Sequence, residues 1–256
     1  MIFSKALLMT SGKKQYTLTV VLSPGDATCT LTYNGLAHYA TSATVDSGTV
    51  ISYSISKSPF TPDATGTITM DANKTLTCTG TTGTSYSDVP FTPPILTANG
   101  TIGGNAFAVY ASSENSPKNY GAWRCFDDAS TTYYWQSALT SPVYYTIYNP
   151  TPIKISNIHL KNRSSSRRGW TSGSVQGSND NSNWTNILSS WTNSAVTAGA
   201  EWDIAANSSV NYKYNRITFS SYVSGSGLGY PGIIQMTLTS TYQTSTTTYY
   251  WTVIVS

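Results

Sequence analysis

The sequence predicts an all-β protein, and three observations carry that reading. Thr, Ser, Tyr, Asn and Gly fill much of the 256-residue chain, while charged residues make up only 10% of it, against roughly 25% in an average soluble domain. β-Branched and aromatic residues suit pleated, half-buried surfaces, and Ser, Asn and Gly suit turns. Apolar residues alternate over short segments, and nowhere do they keep the three-and-four spacing of a long helix. A chain of this length makes one large or two modest domains, each with its own core.

Taken in order, residues 1–15 ("MIFSKALLMTSGKKQ") form an N-terminal segment whose apolar patch is shorter than the core of a secretory signal. The expectation is that a signal has already been removed, or that the protein leaves the cell another way, such as release on lysis. Residues 16–80 read as a small sandwich. "YTLTVVL" sets Tyr16, Leu18, Val20 and Leu22 on one face, "TVISYSIS" does the same with Ile51, Tyr53 and Ile55, and "GTITM" and "KTLTCT" add further strands. The breaks "SPGDA", "NGLAH" and "DSGT" are turn chemistry. Cys29 and Cys78 alternate in phase with Leu31 and Leu76, so both point into a core, either as buried thiols or, in an oxidising compartment, as a bridge. Residues 81–96 read as a linker, because Gly, Ser and Pro dominate and Pro93-Pro94 cannot sit in a central strand. Residues 97–240 follow as a second domain. The tail, 241–256, ends in "YYWTVIVS", a strand apolar on both faces; it pairs with the N-terminal segment or with another copy of the chain, since a bare edge invites aggregation.

Two resemblances attach to these segments. "LSPGDATCTLTYNG" followed by "TVDSGTVISYSISKSPFTPDATGTITMDANKTLTCT" resembles the small PEGA-type or bacterial immunoglobulin-like repeat, which implies an immunoglobulin-like spacer domain. Farther on, "ASSENSPKNYGAWRCFDDASTTYYWQS" resembles the opening of a discoidin, or coagulation-factor type C, domain. Phe126, Asp127, Thr132 and Trp135 fill its signature places, and Asp128 replaces the usual Gly. "SVQGSNDNSNWTNI", with Gly177, Ser178, Asp180 and Trp184, is similar to that family's hairpin; "YKYNRITF" and "PGIIQMTLTS" are similar to its later strands. The resemblance implies a galactose-binding-like jelly roll of two packed antiparallel sheets, a fold shared by carbohydrate-binding modules and by modules of phage fibres.

Catalysis is not expected. His38 and His159 lie in different domains and in no HExxH motif or triad, and the acids fall mostly in turns such as "GDAT", "VDSG" and "NDNS", where they bond local backbone. In the discoidin-like family a structural calcium often sits beside the signature loop. Here it would draw on Asp127, Asp128, the carbonyls around Arg124, Ser130 and Thr132, and Gln235, which replaces the family's closing-strand acid. The alternative is that Asp127 caps its own turn.

The candidate ligand site is a cluster of cations in a chain with few of them. "KNRSSSRRGW" joins Arg163, Arg167 and Arg168 to Trp170, and the fold implies that it meets "SSENSPKNYGAW" and "SGSGLGYPG", which add Tyr120, Trp123 and Tyr230. Aromatic faces suit the C–H side of a sugar ring, and a guanidinium offers a planar fork to hydroxyl pairs or a carboxylate. The resemblance places Arg163 where sugar-binding relatives carry a ligand-contacting Arg, whereas Arg168 stands near their Asn, which tilts the expected ligand toward an acidic or phosphorylated cell-surface glycan. The opposing reading makes Trp123 and Trp170 core lids and the arginines a solvated loop tip. A net charge of +3 is too small to imply nucleic acid, and the apolar runs are too short for membrane insertion. The expected role is a virion structural or adhesin protein, a phage tail or head-fibre component at the virion surface. It would touch other virion proteins or copies of itself through its terminal strands. The alternatives are a carbohydrate-binding module of a secreted bacterial enzyme or adhesin, and a decoration protein without ligand.

Overall fold

The computed structural model describes residues 12–115, 120–128, 134–137, 141–163, 169–223 and 231–256. It divides into two units, Met1–Tyr86 with Ser245–Ser256, and Ser87–Thr244. Among the described residues no helix is long and apolar enough to cross a membrane.

The first unit is built from β1 (Gln15–Ser23), β2 (Thr28–Tyr33), β3 (Leu36–Tyr39), β4 (Ser42–Asp46), β5 (Val50–Lys57), β6 (Phe60–Thr69) and the start of β7 (Lys74–Phe91). One sheet has the order β3-β2-β5-β6; in the other, β1 pairs antiparallel with β4 and parallel with β7. The period-two alternation seen in the sequence decides which side chains lie between them: Leu18, Leu31, Ile51, Ile55, Leu76 and Cys78 are fully buried. Each buried aliphatic side chain contributes about 1.5–3 kcal/mol. The β2–β3 turn is Asn34-Gly35, both at positive φ (51° and 77°), the geometry whose twist matches the flanking strands. Cys29 and Cys78 face the core as expected and are free thiols; burial raises both, Cys78 to about 11.

The second unit contains β8 (Ala108–Ala111), a 3-10 turn at Ala122–Phe126, β9 (Trp135–Gln136), β10 (Val143–Asn162), β11 (Trp170–Ser178), β12 (Thr185–Thr192), β13 (Glu201–Ile204), β14 (Tyr212–Tyr222) and β15 (Gly232–Val255). Within this unit, Val143–Asn162 is one long strand. Its first half, Val143–Tyr148, pairs with β8 and β14, and beyond a register shift at Asn149–Pro152 its second half pairs with β15 and β13. The layers close on a core in which Trp135 and Trp170 lie nearly parallel, ring centroids 6.2 Å apart, with Phe219 against both.

Two segments differ from expectation. Residues 81–91, read as linker, belong to β7, and the stretch without strand between β7 and β8 is 92–107. The tail 245–256 pairs with β7 of the first unit; of its expected partner, the N-terminal segment, residues 1–11 lie outside the described residues. Thr75 and Ser256 exchange backbone hydrogen bonds, and the Thr248 hydroxyl donates to the Gly83 carbonyl. Trp251 and Val253 pack on the first core. Thr, Ser and Gly composition suggests loop only while no partner strand is in view; cross-strand pairing overrides it.

Candidate functional site

Arg163 follows directly on β10, and its backbone is pinned on both sides. Its N–H donates to the Gly232 carbonyl at 3.1 Å, and its carbonyl accepts from the Gly199 N–H at 3.0 Å. The side chain is only 9% exposed. Its guanidinium lies over the Tyr134 ring at 4.7 Å, and Tyr134 packs on Tyr120 with 5.0 Å between centroids. Asn162 shapes the neighbouring turn, accepting from Trp202 Nε1 at 3.1 Å and donating to the Ala195 carbonyl at 2.7 Å. A cation held against an aromatic face by a fixed backbone is positioned in advance of any ligand.

The structure thus brings Arg163 and Tyr120 together, through a residue that the sequence reading did not single out. Tyr134 precedes Trp135 in "TTYYWQS", and alternation alone sends the two rings to opposite sides. Trp170 does not join them. It is fully buried among Trp135, Phe219 and Tyr222, and so supports the site from the core rather than touching a ligand. Trp123 is half-buried; its N–H donates to Asn99 Oδ1 at 2.9 Å and its ring is covered by the Arg124 guanidinium at 3.7 Å. Arg167, Arg168 and Tyr230 lie outside the described residues.

The loop of Asp127 and Asp128 shows a different charge balance from a calcium cage. The Asp127 carboxylate, 5% exposed, is met by Arg124 at 3.0 Å within the same turn. Asp128 and Gln235 do line one pocket of about 310 Å³, with Pro93, Pro94 and Phe126. That pair supplies one carboxylate and one amide where calcium takes about six to eight oxygens, and the Ser130 and Thr132 carbonyls lie outside the described residues. Among the described residues, Asp127 has the Arg124 guanidinium as a partner.

Two carboxylates meet His159. His159 Nδ1 faces Asp203 at 3.1 Å and Nε2 faces Glu201 at 3.5 Å, on opposite sides of the ring, so the carboxylates share no point with one nitrogen. No group of three or more His, Cys, Asp or Glu among the described residues is placed to hold a metal. His38 stacks on Tyr33 at 4.3 Å. The acids assigned to turns divide. Asp180 bonds the Ser182 and Asn183 N–H groups as expected, at 2.8 and 2.7 Å, whereas Asp26 pairs with Lys57 at 2.6 Å and Asp46 accepts from Gln15 at 3.3 Å.

No protein-family model and no curated protein matches the chain. Solved structures do. A family 32 carbohydrate-binding module (CBM32-3) from a family 31 glycoside hydrolase of Clostridium perfringens is 25% identical, covering 51% of this chain and 87% of that one, with a TM-score of 0.42. The family 32 module of C. perfringens NanJ, solved with galactose, is 18% identical over 52% of this chain and 92% of its own, TM-score 0.41. Chitosan-binding module 2 of a chitosanase/glucanase from Paenibacillus sp. IK-5, solved with chitotriose, is 23% identical over 53% and 97%, TM-score 0.41.

Proposed function

We propose that the second unit is a non-catalytic carbohydrate-binding module that takes a glycan at the loop end marked by Arg163. The stack Tyr120–Tyr134–Arg163 carries this reading. It offers a sugar what sugars need: aromatic carbon for the C–H face, and a fork of N–H donors for paired hydroxyls or a carboxylate. The cations at Arg167 and Arg168 in the adjoining sequence favour an acidic or phosphorylated glycan. In setting, we read the chain as an appendage of a secreted bacterial enzyme or adhesin; the virion surface expected from the sequence draws no support from the fold. Two of the similar modules were solved with galactose and with chitotriose, and the reading here rests on the site's own chemistry.

A glycan array probed with the wild type and Arg163→Ala tests it, with thermal unfolding of both as a control. The wild type is expected to bind a restricted set of glycans, and the folded variant to bind them at least about tenfold more weakly, a loss of about 1.4 kcal/mol. Absence of binding by the wild type, or equal binding by both proteins, refutes the reading.

A further inference from the structure

A second constellation lies on the face of the β8–β10–β14 sheet that points away from the core, and the loop-end reading makes no use of it. Thr146 is in register with Tyr110 on one side and Arg216 on the other, so three strands present these residues in a row, and Tyr144 stands two residues along on the same face. Tyr110 is 52% and Tyr144 37% exposed, large rings left open to solvent. Together with Ser112 and Asn181 they line a pocket of about 290 Å³, room for about ten waters and so for one sugar ring.

Arg216 sets the electrostatics of this pocket. Its guanidinium is clamped between Trp184, at 3.6 Å, and Tyr144, at 5.0 Å. Its Nε is buried without a hydrogen-bond partner. Among the described residues no carboxylate lines the pocket, and Asp180, the acid of the adjoining hairpin tip, is taken up by its own turn. Burial lowers the guanidinium's pKa, yet an arginine stays charged at any physiological pH. A partly desolvated cation without a counter-charge is costly, and an incoming anion offsets that cost.

We propose that this pocket is a second saccharide site, selective for a sugar bearing a carboxylate, with Arg216 facing the acid and Tyr110 and Tyr144 flanking the ring. It does not rest on the loop-end site. The test is titration with trigalacturonic acid and with its methyl ester, which keeps the shape and removes the charge, followed by backbone amide shifts. The acid is expected to bind at least about tenfold more tightly than the ester, with shifts centred on Tyr110, Thr146 and Asn181. Tyr110→Ala, a change at an exposed ring, is expected to weaken the acid about fivefold or more without altering the unfolding temperature. Equal binding of acid and ester, no binding at millimolar ligand, an unaffected Tyr110→Ala protein, or shifts centred on Arg163 and Gly232 instead would each overturn the assignment; the last outcome would leave the loop-end site standing alone.

Discussion

Arg163, Trp170 and Arg124 show how one side chain's neighbours decide its role. All three sit in stretches that the sequence marks as ligand-binding or metal-binding, but their surroundings differ. Arg163 lies against Tyr134 and through it Tyr120, Trp170 is in the core, and Arg124 pairs with Asp127 over the Trp123 ring. Trp170 has no exposed surface. Trp170→Ala is therefore expected to cost about 3–5 kcal/mol of stability, the range for truncating a buried aromatic, read by urea unfolding of the second unit. A loss under about 1 kcal/mol would place the ring at the surface instead. Arg124 makes its own prediction. Because its guanidinium balances Asp127, the melting temperature is expected to be the same in millimolar calcium and in excess chelator. A rise in calcium would mean that metal displaces the arginine.

Among local structures, the β11–β12 hairpin is held by a single carboxylate. Asp180 accepts from the backbone of Asn183, the side chain of Asn183, the backbone of Ser182 and the hydroxyl of Ser178, and these bonds depress its pKa well below the usual carboxylate value. Glu201, beside Lys161, and Asp203, beside Asn157, are shifted the same way. A depressed folded-state value means that the stabilisation is present above the unfolded value, about 3.9 for Asp, and is lost as pH falls through the folded one. Asp180→Asn is thus expected to be less stable than wild type near neutrality, with the gap narrowing as pH drops below about 4; a gap independent of pH in denaturant titrations would contradict this. In the same sheet, Gly173 admits no side chain. A Cβ there would overlap the Thr218 carbonyl oxygen and come within 2.6 Å of the Trp191 ring. Gly173→Ala is expected to destabilise by about 1–3 kcal/mol, the usual cost of overpacking.

Across the full chain, the first unit is completed by residues from the far end of the sequence. Trp251 and Val253 pack on the core of Leu18, Leu31 and Leu76, and the strand that carries them is bonded to β7. Deleting 245–256 is expected to lower the unfolding transition of the first unit, since burial of such side chains contributes up to about 1.5–3 kcal/mol apiece. Glycan binding by the second unit is expected to persist, because 87–244 keeps its own strands. Calorimetry and the array on the truncated protein check both; equal loss of the two would show one cooperative body.

Alternation is a local property, and the sequence therefore settled much of the fold: the all-β class, the core faces of β1 and β5, the Asn34-Gly35 turn and the inward cysteines. The ordered motifs of residues 97–240 also pointed to the jelly roll that the structure contains. Pairing is not local, and tertiary structure alone decided it. Composition made 81–91 a linker until residues 240–256 came alongside, and the motif around Trp170 gave no sign whether its ring faced ligand or core. The sheet-face cluster was hidden for the same reason: Tyr110, Tyr144 and Arg216 are far apart in sequence, and only strand register sets them side by side.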